Sequence, residues 1–343
     1  MPDQDPAVPP SPAPPPPPAA PAVQRYVFLL LDRFTLVSFA AAIEPLRLAN
    51  RLAGRTLYDW RLVGEQAGEQ AAEQGAAACS NGARVMLDGG LADTARGDTV
   101  LVCGGLDIAR AATRPVLAWL RREARRGTRI GALCTGAWVL AEAGLLHGRR
   151  CTIHWENQDG FAEKFPDATL IRTVFVEDGN RLTAAGGTAA IDLMLRQIAR
   201  DHGQDLAGRV ADQMIHTAIR SEQDDQRLAA PARIAARHPR LAQVLARMEA
   251  HIEDPISPAL LAAEAGLSPR QLERLFARHL GRSPKRYYME LRLERARHLL
   301  VQTEMSMIEI ALACGFASTA HFSKCYRATF GSTPYRQREA AGR

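Results

Sequence analysis

Three short segments in the first half of the chain could together perform nucleophilic chemistry. Cys134 lies in Leu133-Cys134-Thr135-Gly136, between a predicted buried strand and a predicted helix. Such a turn exposes a side chain at the carboxyl edge of a sheet, and the helix N-terminus lowers the pKa of a thiol there. His154 could act as the base, and Gly104-Gly105 could offer backbone N–H groups to the sulfur. An alternative interpretation, a small cysteine and a histidine beside a ligand pocket, stays open.

The residues that follow His154 are suited to a cationic ligand. Trp155 could present its aromatic face to a quaternary ammonium, an attraction of about 0.5–2 kcal/mol. Glu156 or Glu44 could balance the positive charge if their side chains point inward. We therefore predict a small-molecule pocket, with no metal and no cofactor, that contains Cys134, His154, Trp155, Glu156, Glu44 and Gly105.

Strands and helices alternate over residues 26–202 and must position these groups. Apolar runs of the buried-strand type occur at 26–31, 59–63, 99–103, 129–133, 150–153 and 170–176. Helical patterns lie between them at 39–48, 115–126 and 137–143, and a long one covers 188–202. Alternation with short connections predicts an α/β fold with a doubly wound, mostly parallel, flavodoxin-like sheet and helices on both faces.

The last third of the chain contains one short unit twice. The first copy holds Ala262, Gly266, Leu272, Phe276, Gly281 and Pro284, and the second holds Ala311, Gly315, Phe322, Tyr326, Gly331 and Pro334. In each copy a serine can cap a helix, a glycine can end it, and a second serine can cap the next helix. Each copy therefore predicts a helix-turn-helix, with Leu260 and Ile308 among the packed residues of the first helices.

The second helix of each copy has a polar outer face that could enter the major groove of DNA. The predicted DNA-contacting residues are Ser268, Arg270, Gln271, Arg274, Ser318, Thr319, His321 and Lys324. A plain helical hairpin with a solvated charged face would explain one copy. Two copies joined by a continuous helical segment at 285–302 favour an all-α domain with two DNA-binding units.

Charge and composition divide the chain in the same way. From Pro231 onward there are 18 Lys and Arg against 10 Asp and Glu, whereas the preceding residues hold 25 against 27. The positive excess thus accompanies the repeat, as phosphate neutralisation requires. We predict a disordered proline-rich tail at 1–23, an α/β domain at 24–220, a linker at 221–240 and a DNA-binding domain at 241–338.

Cysteine spacing and hydropathy indicate the compartment. Six cysteines lie far apart without a CxxC pair, which suggests neither a zinc site nor a disulfide framework. No apolar run reaches transmembrane length, and no basic segment with an apolar core begins the chain. These features predict a soluble protein of the cytoplasm.

Two resemblances add to this interpretation. Residues 315–319, 321–324 and the ending Phe330-Gly331-x-x-Pro334-x-x-x-Arg338 resemble the signature of AraC/XylS-type regulators, with Arg336 or Arg338 as the family's arginine. Residues 102–105, 132–136, His154 and 185–188 resemble the PfpI-like (ThiJ) branch of the class I glutamine amidotransferase-like superfamily. Enzymes of that branch support the nucleophile with an acid early in the first helix. The matching place here is near Ser38, which argues against catalysis.

The combination is similar to GlxA-type regulators, and residues 51–55, 154–156 and 323–326 look most like regulators of glycine betaine and related amine catabolism. The resemblance implies a DNA-binding transcriptional regulator, not an enzyme. It would be an activator of a catabolic operon controlled by glycine betaine, carnitine or an arginine-like metabolite. Operator DNA and RNA polymerase are the expected partners, with a homodimer as a further option. The alternatives are a thiol hydrolase or hydratase using Cys134 and His154, and an α/β domain that serves only for dimerisation.

Overall fold

The structure, a computed structural model, describes residues 23–65, 75–226 and 238–341. The α/β domain (residues 23–226) contains strands β1 Gln24–Leu30, β2 Tyr58–Val63, β3 Ala76–Ala78, β4 Arg84–Met86, β5 Thr99–Cys103, β6 Arg129–Leu133, β7 Arg150–Cys151, β8 Thr169–Leu170, β9 Phe175–Asp178 and β10 Arg181–Ala184. Its helices are α1 Leu36–Ala53, α2 Ile108–Ala111, α3 Arg114–Arg125, α4 Gly136–Glu142, α5 Gln158–Lys164, α6 Ala189–His202 and α7 Gln204–Gln213, with a 3-10 turn at Trp155–Asn157.

The main sheet has six strands in the order β2-β1-β5-β6-β10-β9, which confirms the predicted doubly wound fold. Every neighbouring pair is parallel except β10 with β9. Leu30 lies opposite Cys103, and Cys103 lies opposite Leu133, so three strands end at one edge. Alternate residues of β1 enter two different cores, one against α1, α6 and α7 and the other against α3 and α4.

Several elements differ from the expectation. The predicted strand at 150–153 is only two residues long and pairs with β8 outside the main sheet, and the predicted strand at 170–176 is divided into β8 and β9. The division arises because Thr173 and Val174 bond with a later segment: Val174 N donates to Asp224 O at 2.9 Å. The β3–β4 hairpin and helices α2, α5 and α7 were not predicted.

The segment after α7 returns to the α/β domain. Asp192 is completely buried and accepts hydrogen bonds from His216 Nε2 and from the backbone N–H and side chain of Arg220. Further on, Gln226 Nε2 donates to Thr152 Oγ1 and to the carbonyl oxygens of Ile153 and Thr173. Residues 221–226, which were predicted to begin the linker, are therefore packed on the α/β domain. The rest of that linker up to residue 237, and residues 1–22 of the predicted tail, lie outside the described residues.

The helical domain (residues 238–341) contains α8 Pro239–Ala250, α9 Pro258–Glu264, α10 Pro269–Leu280, α11 Pro284–Gln302, α12 Met307–Ala313, α13 Thr319–Phe330 and α14 Pro334–Ala341. It has two separate cores. Leu272 and Phe276 of α10 pack with α8 and α9, whereas Phe322 and Tyr326 of α13 pack with α12. The long helix α11 gives Tyr288 to the first core and its second half to the other, so one rigid element connects both units.

Helix ends in this domain follow the predicted pattern. Ser257, Ser268, Ser306 and Ser318 each accept a backbone N–H at the start of a helix, and Gly266 and Gly315 turn the chain at positive φ. Of the two arginines singled out near the end of the chain, Arg336 and Arg338, it is Arg338 that donates to the carbonyl oxygens of Met305 and Leu300.

Two packing predictions were wrong. Leu260 and Ile308 are exposed, because the buried stripe of α9 runs through Leu261 and Ala262 and that of α12 runs through Ile310 and Ala311. None of the helices in the described ranges has the length and apolarity that crossing a bilayer requires.

Candidate functional site

The turn between β6 and α4 has the geometry of a nucleophile elbow. Cys134 has φ 59°, a left-handed conformation that a cysteine adopts only under constraint. Its N–H donates to Ala184 O at 2.9 Å, which fixes the turn against the end of β10. A Cβ on Gly186 would lie 2.7 Å from Cys134 Cβ, so the following loop presses directly on the cysteine.

The Cys134 thiol is buried among hydroxyl groups. Thr35 Oγ1 lies 3.7 Å from Sγ, and the Ser38 hydroxyl and the Thr135 N–H also hydrogen bond to the sulfur. Burial nevertheless raises the pKa of the thiol, because desolvation outweighs these hydrogen bonds. The predicted lowering of this pKa by the helix N-terminus is therefore wrong. Ser38, which carries no carboxylate, accepts the Gly187 N–H at 2.8 Å through its hydroxyl.

His154 is joined to Cys134 through the backbone. Its N–H reaches Cys134 O at 3.4 Å, whereas its ring lies beside Glu156, with Nδ1 3.8 Å from Oε2. Burial lowers the pKa of His154, so the ring is neutral near pH 7. No hydrogen bond between the described residues connects the imidazole to the thiol. A protonated thiol and a neutral, separate imidazole do not form an activated pair.

The other predicted pocket residues are divided among different places. Glu44, on α1, is partly exposed and forms an ion pair with Arg47 at 2.6 Å. Gly105 packs on the backbone of Arg33 and Phe34, and its carbonyl accepts the Thr135 hydroxyl. The backbone N–H that counteracts the raised pKa of the thiol is that of Thr135.

Trp155 and Glu156 lie at the contact between the two domains. The Trp155 ring centroid is 6.0 Å from that of His298 on α11, and Gln302 Nε2 donates to Glu156 O at 2.7 Å. Arg295 Nε of the same helix lies 3.9 Å from Asp159 Oδ2. Sequence reasoning missed these three α11 residues, since nothing in their spacing shows which distant segment they face. Gly160 was the available signal, because a glycine inside a short helix often marks a close approach. A Cβ there would be 2.8 Å from Gln302 Oε1.

Helices α10 and α13, which we call the recognition helices because the sequence predicts that they contact DNA, present most of the predicted DNA-contacting residues to solvent. Ser268, Arg270, Gln271, Arg274, Ser318, His321 and Lys324 are exposed, and Thr319 is half-buried. Two of these side chains also have internal roles. Gln271 Oε1 accepts the Ser268 N–H in a capping box, which leaves its amide N–H₂ to donate, and His321 Nε2 lies 3.4 Å from Cys325 Sγ.

Helix α11 holds the second recognition helix in place. Arg292 donates to the carbonyl oxygens of Cys314 and Gly315 in the turn before α13, and its guanidinium lies 4.2 Å from the Phe316 ring centroid. These contacts attach the turn directly to the helix that also contacts Trp155.

Comparisons with known proteins agree with both halves of this arrangement. Residues 26–200 match the model of the DJ-1/PfpI family, and residues 261–340 match a helix-turn-helix domain model. The chain is 46% identical over 312 residues to the HTH-type transcriptional regulator GbdR of Pseudomonas aeruginosa, a match that covers 91% of this chain and 83% of the relative. It is 44% identical over 315 residues to CdhR of Pseudomonas aeruginosa, covering 92% and 91%. It is also 43% identical over 325 residues to GlxA of Rhizobium meliloti, covering 93% and 97%.

These relatives are named HTH-type transcriptional regulators, and the DJ-1/PfpI fold also includes enzymes. Because the matches extend over both domains at more than 40% identity, the chain belongs to the family of HTH-type transcriptional regulators in which a DJ-1/PfpI domain precedes an AraC-type helix-turn-helix domain.

Proposed function

We propose that this regulator activates a catabolic operon when its α/β domain binds a small amine metabolite, such as glycine betaine, carnitine or an arginine-like amino acid. One observation carries the proposal. Helix α11 contributes to the cores of both helix-turn-helix units and also contacts the turn at Trp155, so a ligand near that turn can influence both units at once.

The two recognition helices would read successive major-groove turns on one face of the DNA, about 10 bp apart. Gln271 and Arg274 are the proposed base contacts in the first unit, and His321 and Lys324 those in the second. Arg270, Ser318 and Thr319 would contact bases or phosphates. Ser268, at the start of α10, would lie close to the DNA backbone. Exposure of all of these side chains except the half-buried Thr319, together with the capping of both helices, supports the assignment.

The DNA contacts can be tested with Arg274→Ala. If Arg274 binds a guanine in bidentate fashion, its removal should cost about 1–3 kcal/mol and relax the preference at one operator position. Fluorescence anisotropy on a set of single-base operator variants would measure both effects. Arg125→Ala, which removes the same exposed charge from α3 of the α/β domain, is the matched control. A loss of equal size on every operator variant would assign Arg274 to the DNA backbone instead.

The hydrolase alternative receives little support from the geometry. The pKa of the Cys134 thiol is raised by burial, and Ser38 stands where an acid is needed. We therefore propose that the α/β domain senses and does not catalyse. Turnover of a panel of amides and isonitriles by the wild type, abolished by Cys134→Ser, would overturn this.

Activation also implies contact with RNA polymerase, and a homodimer would let the regulator recognise a repeated operator. Sedimentation analysis of the full-length protein with and without operator would establish the number of copies bound.

A further inference from the structure

A cavity of about 260 Å³ lies between the two domains. We call it the interdomain cleft. The α/β domain supplies one wall through Trp155, Gln158 and residues 225–226, and the helical domain supplies the other through α8, the residues that follow it and α11. Among the charged side chains in its walls are Asp225, Glu249, Glu294 and Arg295.

Three polar atoms in these walls are buried without a hydrogen-bond partner among the described residues: Gln158 Nε2, Gln226 Oε1 and Arg295 Nε. Gln158 as a whole is only 6% exposed. Buried polar groups are almost always paired in folded proteins, so three unpaired groups around one cavity indicate a missing partner. The nearest carboxylate to Arg295, on Asp159, lies 3.9 Å from Nε, which is too far for a hydrogen bond.

The orientation of Gln226 defines what the cleft offers. Its Nε2 already donates to Thr152, Ile153 and Thr173, so the opposite end of the amide must be the oxygen, an acceptor. The residues around the cleft thus carry two unpaired donors, on Gln158 and Arg295, and one unpaired acceptor, on Gln226. Two convergent donors that include a guanidinium suit a carboxylate.

The remaining walls suit a positive group. Trp155 provides an aromatic surface, and the carboxylates of Asp225, Glu249 and Glu294 provide negative charge. A cation over an aromatic face gains further when it is desolvated. The volume is below the range of drug-sized sites, about 300–1,000 Å³, and therefore fits a small metabolite.

We propose that the interdomain cleft binds a small zwitterion, with its carboxylate on Gln158 and Arg295 and its ammonium group toward Trp155 and the acidic walls. The cleft proposal rests on the proposed function, since it assumes that the protein responds to a small amine. It places the binding site at the contact between the two domains instead of at the elbow at Cys134. Because the ligand contacts both domains, it favours one arrangement of the helical domain over others.

Calorimetric titration of the full-length protein tests the cleft with three kinds of probe. Glycine betaine, carnitine and L-arginine are zwitterions, choline is a cation without a carboxylate, and acetate is an anion without an ammonium group. We expect at least one zwitterion to bind and to bind at least about tenfold more tightly than choline or acetate, since hydrogen bonds to a charged group are lost without the carboxylate. Choline binding as tightly as the best zwitterion would overturn the proposal.

Three variants place the site. Arg295→Met and Gln158→Met should each weaken zwitterion binding about tenfold or more. Arg297, on the same helix, does not line the cleft and lies 5.2 Å from the Phe330 ring centroid. Arg297→Met should therefore leave affinity within about twofold, since it removes no cleft contact. Operator binding and circular dichroism of each variant show that it is folded.

Two outcomes show whether only the cleft proposal fails or whether the proposed function fails with it. If a zwitterion binds equally well to the wild type, Arg295→Met and Gln158→Met but not to Cys134→Ser, the ligand lies at the elbow, and the response to an amine stands without the cleft. If no zwitterion binds to a wild-type protein that still binds its operator, both proposals are wrong.

Discussion

The elbow at Cys134 and the interdomain cleft at Trp155 are connected through His154, which precedes Trp155 and bonds to Cys134 O, yet they have opposite properties. At the elbow the hydroxyls of Thr35, Ser38 and Thr135 all have hydrogen-bond partners, and the loop at Gly186 fills the space beside the sulfur. The cleft has unpaired polar atoms, several carboxylates and free volume. The backbone geometry of a nucleophile site therefore does not make a nucleophile, because the surrounding groups decide whether the thiol can ionise or a ligand can enter.

Glycine substitutions at the elbow should give the largest effect. Gly186→Ala places a methyl group 2.7 Å from Cys134 Cβ at φ 94°. We expect a loss of about 2–4 kcal/mol in the free energy of unfolding, from the left-handed backbone and from overpacking together. Gly187→Ala is the matched control, since that residue has φ 55° but nothing within 4 Å, and should lose only about 1 kcal/mol. Urea unfolding measures both.

Urea unfolding of Gln158→Met tests the other side of the comparison between the elbow and the cleft. Removing a buried amide that lacks a partner should leave the stability of the ligand-free protein unchanged or slightly increased, by up to about 1 kcal/mol. A large loss in this variant, or equal losses in Gly186→Ala and Gly187→Ala, would mean that the elbow and the cleft do not differ in packing.

Much of the fold could be predicted from the sequence because local patterns determine it. Continuous apolar strands predicted the parallel sheet, and the serine caps and glycine turns predicted both helix-turn-helix units. The hairpin at Ala76–Ala78 was missed because alanine has a low strand preference, and residues 221–226 were assigned to a linker because they are charged. Their docking depends on hydrogen bonds between Gln226 and residues 152–173, more than 50 positions away.

The candidate site was harder to predict for a physical reason. The pKa of Cys134 depends on how completely the fold buries it, which a motif does not encode. The place of Trp155 depends on His298, which lies in the other domain. Sequence reasoning identified Trp155 as the aromatic residue suited to a cation, but placed it in the same pocket as Cys134.

Substitutions at the two sites should next separate their roles in sensing. Trp155→Ala should weaken binding of the effector by about 0.5–2 kcal/mol through loss of the cation–π contact. Cys134→Ser should keep most of the transcriptional response, because serine fills the same space and can make similar hydrogen bonds. Reporter assays and titration of the two variants measure these effects. If Cys134→Ser abolished the response, and mass spectrometry of the wild type showed an adduct on that sulfur, the elbow would be chemically active.

Trp155→Ala needs a control for the domain contact, since Trp155 also lies against His298. The isolated helical domain does not contain Trp155. Its affinity for the operator is therefore the reference with which operator binding by full-length Trp155→Ala is compared. If full-length Trp155→Ala binds the effector with unchanged affinity, Trp155 is not part of the ligand site.

The smallest expected effect concerns the pH dependence of the segment that joins the two sites. Burial lowers the pKa of His154, opposed by Glu156 and assisted by His298. As the pH falls through about 6.5, the ordinary value, the unfolded chain takes up a proton before the folded protein does, so the free energy of unfolding decreases. Above about pH 7.5 neither state is protonated, and His154 contributes nothing to this dependence.

His154→Gln should therefore lose less stability than the wild type when urea unfolding is compared at pH 7.5 and pH 5.5. Each unit of pKa difference corresponds to about 1.36 kcal/mol, and partial exposure of the ring keeps the expected effect small. His147→Gln, which replaces a histidine that is 75% exposed, is the control. If the free energy of unfolding changes equally with pH in the wild type and in His154→Gln, the His154 ring is not desolvated. The conclusion that a neutral histidine lies beside the elbow would then be wrong.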